Sequence, residues 1–147
     1  MKKQFVFLLL PLLFLLACNI SPQPIHYGED ACHFCTMTIV DHQHASQIVN
    51  DKGKAYNFDS IECMLNYLEE KKDIKPELYL VNDFMNPGEL IDATRSTYLI
   101  SKNISSPMGE FLSAFDNQEN ANKTKLKYEG ELYTWKEILN HFKSDPK

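Results

Sequence analysis

The sequence predicts an α+β fold made of two similar small halves of ββαβ-like order. Residues 54–58 alternate like a half-buried strand, and Ile61, Met64, Leu65 and Leu68 follow at helical spacing. The segment Gly53-Lys54-Ala55-Tyr56-Asn57-Phe58-Asp59-Ser60-Ile61 is echoed at a constant offset by Gly130-Glu131-Leu132-Tyr133-Thr134-Trp135-Lys136-Glu137-Ile138, with Gly, Tyr, an aromatic and Ile matched. Each copy describes a turn, a short strand and an amphipathic helix, a unit that buries its apolar face only by packing helix on sheet.

The chain opens differently. Lys2 and Lys3 precede an apolar run from Phe5 to Leu16 broken only by Pro11, the plan of a secretory signal and too short to span a bilayer unaided. Leu15-Leu16-Ala17-Cys18 resembles the lipobox of bacterial lipoproteins. That resemblance implies a signal peptide at residues 1–17 and a diacylated Cys18. The protein is then expected on the cell membrane or outer membrane, facing the periplasm or extracytoplasmic side. Residues 18–28, with Ser21, Pro22 and Pro24, read as a tether.

The first half is expected over residues 29–86 and the second over 87–147. In the first, Thr38–Val40 and Gln47–Asn50 are short β-like runs around Asp41-His42-Gln43-His44. A turn at residues 51–53 leads to the strand at 54–58. Asp59 or Ser60 is placed to cap the Ile61 helix, and Leu78–Val81 is a further strand. In the second half, Pro87-Gly88 precedes an apolar set from Leu90 to Ile100. Ser106-Pro107 predicts a helix start with Phe111, Leu112 and Phe115 on its apolar face, and Asp116–Lys125 reads as an exposed loop.

Charge and cysteine number narrow the function. Loss of Lys2 and Lys3 with the signal takes the net charge from -5 to -7, which argues against nucleic acid as a partner. With Cys18 assigned to lipid, Cys32, Cys35 and Cys63 remain, an odd number that cannot pair fully within one chain.

Cys32-His33-Phe34-Cys35-Thr36-Met37 gathers two thiols, an imidazole and a thioether into six residues. Four chemistries compete for this motif. Zinc needs four closed ligands, which Cys63 and a histidine (His33, His42 or His44) could complete, but a second Cys-x-x-Cys pair is missing. A thioredoxin-like redox pair at Cys32 and Cys35 would open a helix, whereas here β-branched residues follow. A structural disulfide is the third option. Cu(I) fits best, because thiolate and thioether are soft donors and thioether is a poor zinc ligand. In an extended segment Cys35 and Met37 point to one face and can reach one ion. Met108, in a Pro-Met-Gly turn, is the donor expected from the second half, and Cys63 is a third thiol at the start of its helix. No Ser-His-Asp pattern, phosphate-binding glycine loop or paired-carboxylate motif points to a hydrolase.

Cys35-Thr36-Met37, Tyr56-Asn57-Phe58-Asp59-Ser60-Ile61 and Pro107-Met108-Gly109 together resemble the NosL family of nitrous oxide reductase accessory lipoproteins. The resemblance implies a membrane-anchored Cu(I) metallochaperone, not an enzyme, with a fold similar to the two-halved organomercurial lyase family. It implies Cys35, Met37 and Met108 as ligands, with Cys32 and Cys63 beyond the usual motif. It also implies nitrous oxide reductase, or its maturation transporter complex, as copper acceptor. The alternative function is an extracytoplasmic thiol-disulfide oxidoreductase using Cys32 and Cys35.

Overall fold

A computed structural model describes residues 20–144; the signal segment and Cys18 lie outside the described residues. β1 (Ser46–Asn50), β2 (Ala55–Phe58), β3 (Pro76–Asp83) and β4 (Asn86–Asp92) form an antiparallel sheet in the order β2-β1-β3-β4. β5 (Thr97–Ile100), β6 (Leu112–Phe115) and β7 (Glu131–Thr134) form a second antiparallel sheet in the order β6-β5-β7. Helix α1 (Ile61–Glu70) joins β2 to β3, α2 (Gln118–Tyr128) joins β6 to β7, and α3 (Trp135–Ser144) closes the described chain.

The mixed α+β class follows the expectation, and the repeat has a clear form. β1-β2-α1-β3 and β5-β6-α2-β7 are both ββαβ units whose middle strand is the first in sequence. The sequence echo, however, pairs β2-α1 with β7-α3, segments at different places in the two units. What the echo detects is a shared physical unit, a strand feeding an amphipathic helix, rather than the topological equivalence. β4 lies across the 86/87 division and pairs with β3, so the change of sheet comes between Asp92 and Thr97.

Three further segments depart from expectation. Thr38–Val40 contributes only an isolated bridge between Thr38 and Ala31. The helix expected from Ser106 is a turn followed by β6, because Gly109 and Phe111 adopt positive φ of 74° and 63° and break any helix there. Leu112–Phe115 is fully buried, and such a short continuous apolar run suits a buried strand. Asp116–Lys125 is not a loop: most of it lies in α2, whose Asn117 cap accepts from the Asn120 N–H at 2.9 Å. Only Ala121 and Thr124 of α2 are buried, too narrow a stripe to register as amphipathic periodicity.

The expected tether is docked from Gln23 onward. Gln23 and Gln47 exchange two hydrogen bonds of 2.9 Å, Tyr27 stacks on His42 at 3.7 Å, and the Tyr27 hydroxyl accepts from Asn82 at 2.6 Å. Ile25 and Tyr27 pack against the main core, which runs from Ile48, Phe58 and Met64 of the first unit to Tyr98, Leu112, Ala114 and Ile138 of the second. The halves therefore share this main core, and a smaller cluster of Leu99, Ile104, Phe115 and Ala121 lies under α2.

Gly130, at φ 112°, leads into β7, and a Cβ there would lie 2.2 Å from the Ile100 carbonyl oxygen. Gly130→Ala is expected to cost ~2 kcal/mol or more through steric overlap and the unfavourable φ. The urea midpoint measures this.

Candidate metal centre

The site is assembled at the junction of β2 and α1. Phe58 ends β2 in the core, and Ser60 caps α1 by accepting from the Cys63 N–H at 3.1 Å. That cap fixes Cys63 in the first turn, where it is fully buried. Asp59, between the strand and the cap, is also buried and turns its carboxylate toward the cysteines.

Cys32 and Cys35 lie on a tight turn over the same junction. The Thr36 N–H donates to the Cys32 carbonyl at 3.0 Å, and the Cys32 N–H donates to the Met37 carbonyl at 2.8 Å. The Cys35 N–H points at Cys32 Sγ at 3.5 Å. Asn57 holds this turn against the sheet. Its carbonyl accepts from the His33 N–H at 2.9 Å, its N–H donates to His33 Nδ1 at 3.2 Å, and its side-chain amide donates to Asp30 at 2.9 Å.

The result is a compact donor set. One ligand atom from each of Cys32, Cys35, Cys63 and Asp59 lies within 4.8 Å of all the others. All three cysteines are free thiols. Cys35 Sγ donates to Asp59 Oδ2 at 3.4 Å, whereas Asp59 Oδ1 is buried without a hydrogen-bond partner. An orphaned buried carboxylate oxygen beside three sulfurs is the atom a bound cation would satisfy, so the donor set fits a thiophilic metal.

The thiols are electrically unequal. The hydrogen bond from Cys63 pulls the Cys32 thiol down to about 6, and the same bond pushes Cys63 up. Burial pushes Cys35 up to about 11. The cluster thus favours the thiolate form of Cys32 over those of Cys35 and Cys63, chiefly through the Cys63 S–H.

Of the sequence-predicted donors, Cys32, Cys35 and Cys63 are brought together. Met108 is half-buried and packs against the core cluster that contains Cys32 and Cys63. Met37 is not brought into that packing: it is 58% exposed, because Thr36 at φ 65° reverses the chain and the Cys35–Met37 segment is not extended. The histidines are engaged elsewhere: His33 with Asn57, His42 on Tyr27, and buried His44 with Asp41 and Ser113 at 3.0 and 3.2 Å. Asp59 was visible in the sequence only as a possible cap. Its spacing of four residues before Cys63, around a capping serine, is the signal that places it beside a thiol.

The NosL family profile matches residues 24–142. A copper-binding lipoprotein NosL from Stutzerimonas stutzeri is 26% identical, over 82% of this chain and 67% of the relative. The crystal structure of the copper chaperone NosL from Shewanella denitrificans superposes with a TM-score of 0.70 at 21% identity, covering 81% of this chain and 96% of that one, which shows the shared fold. Both relatives are named for copper binding or copper delivery rather than for an enzymatic reaction.

The far-ultraviolet thiolate absorbance of the reduced, metal-free protein should rise by one thiolate with a midpoint near pH 6. Cys63→Ala removes the supporting S–H and should move that midpoint up, toward the ordinary thiol value of about 8.5. An unchanged midpoint would show that Cys63 does not stabilise the thiolate.

Proposed function

The chain belongs to the NosL family, and on that premise we propose that it is a membrane-anchored Cu(I) carrier that delivers copper for the maturation of nitrous oxide reductase. The observation that carries this reading is the convergence of three free thiols and a carboxylate within 4.8 Å. Thiolates are the preferred donors of a soft monovalent cation, and the relatives named above are called copper-binding.

In this reading copper is cargo. Cys32, the thiol whose ionised form the cluster favours, supplies one thiolate donor. Cys35 and Cys63 release their protons as they bind, so loading weakens as pH falls. Cys35 is the most accessible of the three thiols, which makes it the sulfur through which an acceptor's donor can enter. Met108 supplies a thioether from the second unit. Met37 stands outside on the turn, where it can join a passing ion without belonging to the buried set. The acceptor is nitrous oxide reductase or its maturation transporter complex. The lipobox-like segment ending at Cys18 supports anchoring on the extracytoplasmic side.

Thiol-disulfide exchange finds some support in the acidic Cys32 thiol. Against it, Cys32 is only 2% exposed, and exchange requires the attacking sulfur to reach a disulfide on another molecule.

Anaerobic titration against a chromophoric Cu(I) chelator tests the proposal. Cys35→Ala and Cys63→Ala should each weaken binding on the order of 100-fold or more, whereas Met37→Ala should cost less than Met108→Ala. Cu(I) binding that survives loss of Cys35 and Cys63 would sink the assignment. Cys18→Ala should release the protein from the membrane fraction without changing its copper affinity.

A further inference from the structure

Met108 lies on the long connection between β5 and β6, and a buried contact ties that connection to the helix turn that carries Cys63. Glu62, fully buried beside Cys63 in the first turn of α1, accepts a hydrogen bond from the Ser106 hydroxyl. The Ser106 oxygen in turn accepts from the Phe111 N–H at 2.9 Å, and the Ser106 carbonyl accepts from the Gly109 N–H at 3.0 Å. Ser106 thus closes the turn around Met108 from both sides. The loop is costly to hold in this shape, because Phe111 sits at φ 63°, a region that disfavours side chains with a Cβ.

The cost on the Glu62 side is also plain. Burial pushes its carboxyl above the usual carboxylate range, and its second oxygen has no partner. A leucine would pack there without either penalty. A buried acid kept at such a place, one residue from a cluster thiol and reaching a residue two positions from Met108, has a positional use.

We propose that Glu62, acting through Ser106, is a positioning residue that holds Met108 against the cysteine cluster, so that the copper site is completed across the two units. The inference rests on the reading of Met108 as a copper donor. The covalent and hydrogen-bonded path Cys63-Glu62···Ser106-Pro107-Met108 is short and is buried from Cys63 to Ser106, so the residue two positions before the thioether is fixed to the helix turn of the cluster.

The test is Cu(I) affinity of the full-length protein by chelator competition, with the sulfur number around copper from X-ray absorption. Ser106→Ala should weaken binding about 10- to 100-fold and lose one sulfur, as Met108→Ala does, while Ser106→Thr and Glu62→Gln retain both. Glu62→Leu, which removes the acceptor without opening a void, should behave as Ser106→Ala and serves if that variant does not fold. In the Met108→Ala background, Ser106→Ala should add nothing further. The proposal is overturned if Ser106→Ala and Glu62→Leu keep full affinity and sulfur number while Met108→Ala loses them. It is equally overturned if Ser106→Ala lowers affinity by the same factor with Met108 already gone. A Met108→Ala variant that binds as the parent does would instead remove the donor reading itself.

Discussion

Asn57 is the residue on which the site's geometry turns. Its main chain pairs with β1 on one side and with His33 on the other, and its side chain accepts from Gln47 at 2.7 Å while donating to Asp30. These bonds act together with the turn's own hydrogen bonds, the Cys35–Asp59 contact and the packing of Cys32 and Phe34 on the core to define its place. With them, two thiols from a loop are registered against a third thiol on a helix and a carboxylate between strand and helix. Each bond is modest, about 1 kcal/mol, but they act on one rigid strand and so fix a position rather than merely add stability.

The burial gradient across the cluster follows from the same arrangement. Cys63 and Cys32 lie inside, Cys35 is part-exposed, and Met37 stands on the outer surface. The deep sulfurs are screened from competing ligands, and the outer ones are accessible to them. A site graded in this way can bind tightly and still begin to let go from its exposed side, which a fully closed cage cannot.

The strand-turn-helix unit at residues 54–70 was legible because its signals agree: alternation in the strand, a capping serine, and apolar residues at helical spacing on one face. The cysteines were legible as soft donors from their composition and number. Geometry was harder. Met37 was placed beside Cys35 on the assumption of an extended backbone, and Thr36 with positive φ makes the link between them a turn instead. The segments 105–115 and 116–125 were misassigned, since Leu112–Phe115 is short enough to suit either state and α2 depends on its cap rather than on an apolar face. Asp59 and Glu62 act through contacts with residues far from them or across a cap, and period-based reading has no means of seeing those.

The docked strap from Gln23 to Gly28 changes what an anchor at Cys18 would do. Only five peptide steps separate Cys18 from Gln23, the first residue bonded to the sheet, a contour of under about 20 Å. Under the proposed lipidation the folded body could not sweep a large volume on a flexible leash; it would sit within roughly one protein diameter of the bilayer. Encounter with an acceptor held in the same membrane then becomes a search in a thin layer, where effective concentration is set by geometry more than by expression level. Lengthening the strap would dilute the carrier without altering a single copper ligand.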